Sequence, residues 1–187
     1  MKATCLRLAF LFLLLSHLCA TSIAAQPSSP SDGPFRVYLP SITTAAPSAT
    51  QEVVALVNQE RAAAGCPALG ISAELTAAAQ GHSEDMAINN IFGHSGSNGS
   101  SPWDRMDAAG YPAGAAENVA AGQTTAEAVM ESWMRSPGHR GNILNCSLTA
   151  IGVGLYSQPD DQADVQLSNG ETSGPFRYYW TQDFGRG

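Results

Sequence analysis

Three side chains in this 187-residue chain have types that could share chemistry: His94, Glu117 and His139. Two neutral imidazoles and a carboxylate suit zinc or another divalent ion, and as a set they leave coordination positions open for water or ligand. They lie far apart along the chain, and no short signature such as HExxH joins them, so spacing alone does not bring them together. The same set allows a hydrolytic reading, in which Glu117 acts as general base for a metal-bound water on peptide or cell-wall material. Other hydrolytic chemistries have less to stand on. There is no G-x-S-x-G elbow, and Ser95 beside His94 and Ser136 near His139 are weak candidates in serine-rich surroundings. A glycosidase pair is no better placed, because Glu117 has only Glu127 and Glu131 as nearby acids along the chain.

The elements that must position these groups can be read outward from residues 117–146. Thr124 with Glu127 fits a capping box, and Ala126, Val129, Met130, Trp133 and Met134 follow at helical spacing, so a short buried helix is expected there. Ser136-Pro137-Gly138 stops it, and His139 then begins a new turn beyond the helix end. Glu117 precedes the helix, where helical packing does not fix its direction. Upstream, Ser72 caps a helix over 73–90 in which Leu75, Ala78, Ala79, His82 and Met86 share a face. His82 on this apolar stripe reads as a hydrogen-bonded core histidine, and Gly81 beside it as a point of close approach by another element. Residues 89–99 leave that helix as a glycine- and serine-rich loop with His94 near its start; they match neither a P-loop nor a dinucleotide turn. Ser101-Pro102-Trp103-Asp104 starts a helix over 102–109, with serine at N-cap and proline at N1. The first helix spans 51–64 and is closed by Gly65.

Two strands follow. Ile151, Val153 and Leu155 alternate with Gly152 and Gly154, which leaves one bare face for something to pack against closely. Phe176, Tyr178, Trp180 and Phe184 alternate with Arg177, Tyr179, Thr181 and Asp183, and this strand should pair with the previous one. Between them, Asp160, Asp161 and Asp164 lack the glycine and distal glutamate of an EF-hand loop and read as a solvated hairpin tip. The expected class is α+β, a small antiparallel sheet covered by helices.

Composition narrows the setting. Residues 1–25 have the layout of a secretory signal peptide: Lys2 and Arg7, the apolar run LAFLFLLL, then the small residues of TSIAA. Residues 26–49 are rich in Pro, Ser, Thr and Ala and read as a linker, and residues 50–187 as one domain. Removing Lys2 and Arg7 from nine basic residues leaves seven against sixteen acids, a formal charge of −9 in place of −7. Such a protein is a poor partner for nucleic acid or anionic lipid. Cys5 and Cys19 leave with the signal, so Cys66 and Cys146 are expected to form a disulfide in an oxidising compartment. The expectation is a secreted monomer with no membrane span after signal cleavage.

The segments FGHS (92–95), ENVA (117–120), SPGHRGNIL (136–144), IGVG (151–154) and YYWTQDFG (178–185) resemble, in order and spacing, the CAP superfamily of cysteine-rich secretory, antigen 5 and pathogenesis-related 1 proteins, also called SCP-like extracellular proteins. The resemblance covers residues 51–185, is most like the compact bacterial branch, and implies an α-β-α sandwich. It also implies a cleft lined by two histidines and two acids, of which His94, Glu117 and His139 match. The second acid falls at Ser136 here, and Glu131, one turn away, is the alternative. In related proteins the cleft is associated with zinc or other divalent ions, and lipid binding and proteolysis have been ascribed to members. The resemblance therefore implies an extracellular binding or interaction module whose ligand is a lipid, a peptide or a cell-surface component.

Overall fold

The computed structural model describes residues 46–187. The signal peptide read at 1–25 and all but the end of the linker read at 26–49 lie outside the described residues. Helix α1 (Ala49–Ala63) is started by a capping box between Ser48 and Gln51 and buries Val53, Val54, Val57 and Arg61. A two-residue strand, β1 (Gly70–Ile71), leads to α2 (Ala73–Ile88), capped by Ser72 as its sequence requires. Strand β2 (Ile91–Phe92) precedes α3 (Pro102–Ala108), where Ser101 and Asp104 cap reciprocally. Strand β3 (Gly114–Ala121), α4 (Ala126–Arg135) and α5 (Pro137–Ile143) follow, then β4 (Ala150–Ser157), β5 (Val165–Leu167), β6 (Thr172–Ser173) and β7 (Tyr178–Gly185).

The main sheet has the order β1-β4-β7-β3. Helix α2 packs on one face and α1 and α4 on the other, which makes the α-β-α sandwich expected from the motifs. Strands β4 and β7 pair antiparallel as their alternation implies, and β1 joins β4 in parallel, so the sheet is mixed. The bare face of β4 explains how α2 comes so close. A Cβ on Gly152 would overlap the backbone at Leu75–Thr76, and one on Gly154 the backbone at Ala79–Gln80. The close approach expected at Gly81 belongs to these two strand glycines instead; nothing lies within 4 Å of a Cβ at Gly81.

The second face holds the main core, with Val57, Trp133, Ile151, Trp180 and Phe184 fully buried. Each such aliphatic or aromatic side chain contributes about 1.5–3 kcal/mol. The indole N–H of Trp133 donates to Val119 O at 3.2 Å and that of Trp180 to Gln123 O at 2.8 Å, so neither ring buries an unpaired donor. Arg61, also fully buried, donates to the carbonyls of Pro67, Ile143, Asn145 and Leu148 at 2.8–3.0 Å. The Cys66–Cys146 disulfide, as expected, joins the same two segments across a separation of 80 residues.

Four details correct the sequence reading. Glu117 lies in strand β3, which GAAENVAA does not announce because its residues are mostly small and only Val119 is β-branched. The cap of α4 is Thr125, accepting from Ala128 N–H at 3.2 Å, one residue later than expected. His139 sits inside a two-turn helix, α5, with Pro137 at its first position, not on a bare turn. Residues 157–175 contain β5 and β6, which form a three-stranded sheet with β2. In that segment Asp161 is an anchor: its Oδ2 accepts the N–H groups of Phe176 and Arg177 at 2.7 and 2.8 Å and the Tyr179 hydroxyl at 2.9 Å.

Candidate functional site

Strand β3 is the edge of the main sheet, and side chains from the following helices close part of that edge. Glu117 O accepts from Asn142 Nδ2 at 3.3 Å, and Val119 O from the Trp133 indole. Asn118 Nδ2 donates to His139 O at 3.2 Å and to Gln182 Oε1 at 3.1 Å. These bonds seat α5, and with it His139, against the strand that carries Glu117. His94 arrives from the other side on the glycine-rich loop. Asp85 of α2 holds that loop through Ser97 N and Oγ at 2.8 and 2.5 Å, and Arg105 of α3 donates to His94 O and Ser100 O at 3.0 Å.

The structure thus joins two residues that the sequence could only place in one hypothesis. His94 Nδ1 lies 2.8 Å from Glu117 Oε1, and Arg105 Nη2 donates to Glu117 Oε2 at 2.6 Å. Glu117 is 2% exposed in its side chain against 53% for His94, so the carboxylate backs the ring from inside. An imidazole whose Nδ1 meets a carboxylate donates its Nδ1–H to it, and the carboxylate fixes the orientation of the ring. The cleft holds about 380 Å³ and is lined by the polar His94, Glu117 and Asn142 together with Trp103, Ala115 and Ala116. His139 is half-buried, and burial lowers its pKa and favours the neutral ring.

Beneath the cleft lies a buried cluster that the sequence did not reveal. Asp183 faces Glu117 directly across the β3–β7 ladder and is fully buried; among the described residues its oxygens accept no hydrogen bond, and its one side-chain hydrogen-bond partner is the Glu117 carboxylate. Burial, then the charge of Glu117, push Asp183 well above the usual carboxylate range, so of the two it is the acid that holds a proton more tightly. Burial pushes Glu117 up as well, but the His94 hydrogen bond and the charge and hydrogen bond of Arg105 outweigh it and hold Glu117 below its ordinary value. His82 is fully buried as expected of a core histidine, with Nε2 2.8 Å from Gly93 O, yet it also lies 4.0 Å from Glu117 Oε1. Burial lowers its pKa and keeps it neutral.

Of the expected ligands His94, His139 and Glu117, the structure brings His94 and Glu117 into direct contact. Both oxygens of Glu117 are engaged by His94 and Arg105, and among the described residues no three of His, Cys, Asp or Glu are grouped to hold a metal ion. The alternative acid, Glu131, is exposed and paired with Arg135 on the outer face of α4, and Ser136 makes no side-chain cap. The acid that accompanies Glu117 is Asp183.

The chain matches the family model "Cysteine-rich secretory protein family" (CAP) over residues 54–184, and it belongs to that family. It is 40% identical to the uncharacterized protein YkwD of Bacillus subtilis (strain 168) over 136 residues, covering 70% of this chain and 53% of that protein. It is 34% identical to the uncharacterized membrane protein YlbC of the same organism over 106 residues, 56% of this chain and 31% of that one. The chain thus spans about half or less of the length of these relatives. Among solved structures it is similar to an extracellular protein containing an SCP domain from Bacillus anthracis str. Ames, with TM-score 0.61 and 29% identity over 74% of this chain and 40% of that one. An outer surface protein from Borrelia burgdorferi, at 17% identity and TM-score 0.56 over 74% of this chain and 92% of that one, shares the fold.

Proposed function

We propose that this CAP domain is an extracellular binding module whose cleft takes a divalent ion, zinc among others, between His94 and His139, with the remaining coordination positions completed by the bound ligand or solvent. The observation that carries this reading is the backing of His94. A metal-binding imidazole typically has its other nitrogen on a carboxylate, and Glu117, fixed by Arg105, stands in that place 2.8 Å from Nδ1. Glu117 then orients a ligand and does not itself bind the ion. Export is supported by the signal-like first 25 residues, by the Cys66–Cys146 disulfide, and by relatives described as extracellular or outer-surface proteins. No described helix is long and apolar enough to cross a membrane.

Calorimetry with zinc at neutral pH tests the reading. Binding at about 1 μM or tighter, abolished in the His94→Ala, His139→Ala double variant and weakened about 10- to 100-fold in Glu117→Gln, is the expected outcome. Equal weak binding in all three proteins sinks it.

A hydrolytic reading keeps one observation in its favour, since an imidazole held by a buried carboxylate is also a base with its orienter. In that case His94 Nε2 takes the proton of the attacking water, and Glu117 positions the ring instead of serving as base. Turnover of a peptide or cell-wall substrate, lost in His94→Ala, would favour it.

A further inference from the structure

A second groove lies five residues back along β7 from Asp183. It holds about 450 Å³ and is lined by Gly122, Thr124, Ser157, Phe176, Arg177 and Tyr178. Arg177 has φ +66°, a left-handed conformation that bulky L-residues rarely adopt and that glycine would adopt freely. The strain is held in place by Asp161, whose carboxylate accepts the N–H groups of Phe176 and Arg177, leading into the bend, and the Tyr179 hydroxyl beyond it. A built-in bend of this kind that carries a long cationic side chain points to a use for the side chain.

Most other arginines of the domain have partners. Arg61 and Arg105 are spent on carbonyls and on Glu117, Arg135 pairs with Glu131, and Arg186 Nε reaches Ser147 Oγ at 3.4 Å. Arg140 is exposed on α5, on ordinary helical backbone. The Arg177 side chain is exposed and makes neither an ion pair nor a hydrogen bond among the described residues. Its groove adds the hydroxyls of Thr124 and Ser157 and the rings of Phe176 and Tyr178.

We propose that this groove binds a single oxyanion, a carboxylate or a phosphate, in the fork of the Arg177 guanidinium, with the hydroxyls of Thr124 and Ser157 as further donors and the body of the ligand against Phe176 and Tyr178. Guanidinium matches the paired oxygens of either group. The chain's acidic balance works against a polyanion, so the ligand carries one anionic group on an otherwise neutral body. This site is independent of the His94 cleft and does not rest on the reading given for it.

The test is an NMR titration of the protein with acetate and, separately, inorganic phosphate at constant ionic strength, with chloride as control. The expected result is a saturable shift of the Arg177 Nε–H resonance and of the Thr124 and Ser157 amides with at least one oxyanion and not with chloride; which one saturates identifies the source. Arg177→Gly abolishes these shifts while its thermal midpoint rises by about 3 °C, because the bend is kept and the strain removed. Shifts that persist in Arg177→Gly, or that spread equally over Arg135, Arg140 and Arg186, overturn the proposal. So does a lower midpoint in Arg177→Gly, which would make Arg177 a packing residue.

Discussion

Arg61 and Arg105 are both withdrawn from solvent, and they serve opposite ends. Arg61 spends its N–H groups on four backbone carbonyls that belong to no ladder, and so fastens the end of α1 to the link between α5 and β4. Arg105, 12% exposed in its side chain, divides itself between two loop carbonyls and a carboxylate, and its Nε has no partner. Around Arg61 the donors and acceptors close on one another. Around Arg105 they do not: His82 Nδ1 is buried and unpartnered as well, and the buried Asp183 carboxyl has only the Glu117 carboxylate to meet. Fully satisfied buried polar groups rigidify a fold, whereas a charged cluster with orphaned atoms is costly and is retained where a site needs it. The contrast separates the scaffold from the site without reference to any relative.

The largest effect should come from the satisfied member. Arg61→Met removes a buried cation and leaves the carbonyls of Ile143 and Leu148 without their donor, so a loss of about 3–5 kcal/mol is expected in urea unfolding. The His94–Glu117 pair, on the far side of the sheet edge, should survive in whatever protein folds, and zinc affinity measured at low temperature should be unchanged. A mild destabilisation, below about 1 kcal/mol, would erase the contrast.

How much of this was open to sequence reasoning follows the same division. The caps at Ser72 and Ser101, the bare face of Gly152 and Gly154, the β4–β7 pair and the cysteine pair were legible because each depends on neighbours within a few residues or on a repeat of two. His94 and Glu117 were legible as types and through motif resemblance, and not as a contact. Asp183 was hidden for a physical reason: β7 is buried on both faces, so alternation with Trp180 and Phe184 does not mean that Asp183 meets water. Arg105 was hidden because a helix of seven residues gives no sign of which acid its arginine will meet. The two-residue strands β1, β2 and β6 have no periodicity to read.

Arg105→Gln sharpens the comparison from the other side. Glu117 keeps His94 but loses its cation, and the loop loses the donors to His94 O and Ser100 O, so a cost of about 2–3 kcal/mol at pH 7 is expected, smaller than that of Arg61→Met. Glu117 is held below its ordinary pKa in the folded protein, so its ion-pair stabilisation is present above the unfolded value near 4.3 and fades as pH falls through the folded value. The gap between the two proteins should accordingly be full at pH 7 and narrow in acid. In contrast to Arg61→Met, zinc affinity should fall, because the backing of His94 is loosened. A variant that loses stability and keeps full affinity would make Arg105 a second Arg61.

The smallest effect at mildly acid pH, and the finest test, is Asp183→Asn, which replaces a neutral acid by a neutral amide of the same shape. Because burial and Glu117 raise the folded-state pKa of Asp183, the folded protein holds a proton that the unfolded chain releases near pH 3.9. The native protein must therefore lose stability, relative to the variant, as pH rises from that value toward the folded one. At pH 5 the two should unfold within about 1.5 kcal/mol of each other, the most that one pH unit of linkage supplies, and the difference should move in favour of Asn as pH is raised to 7. A difference independent of pH would mean that Asp183 is ionised in the folded protein and that Glu117 and Asp183 share the charge of Arg105. The orphaned cluster would then be a second closed network, and the distinction drawn from the two arginines would not hold.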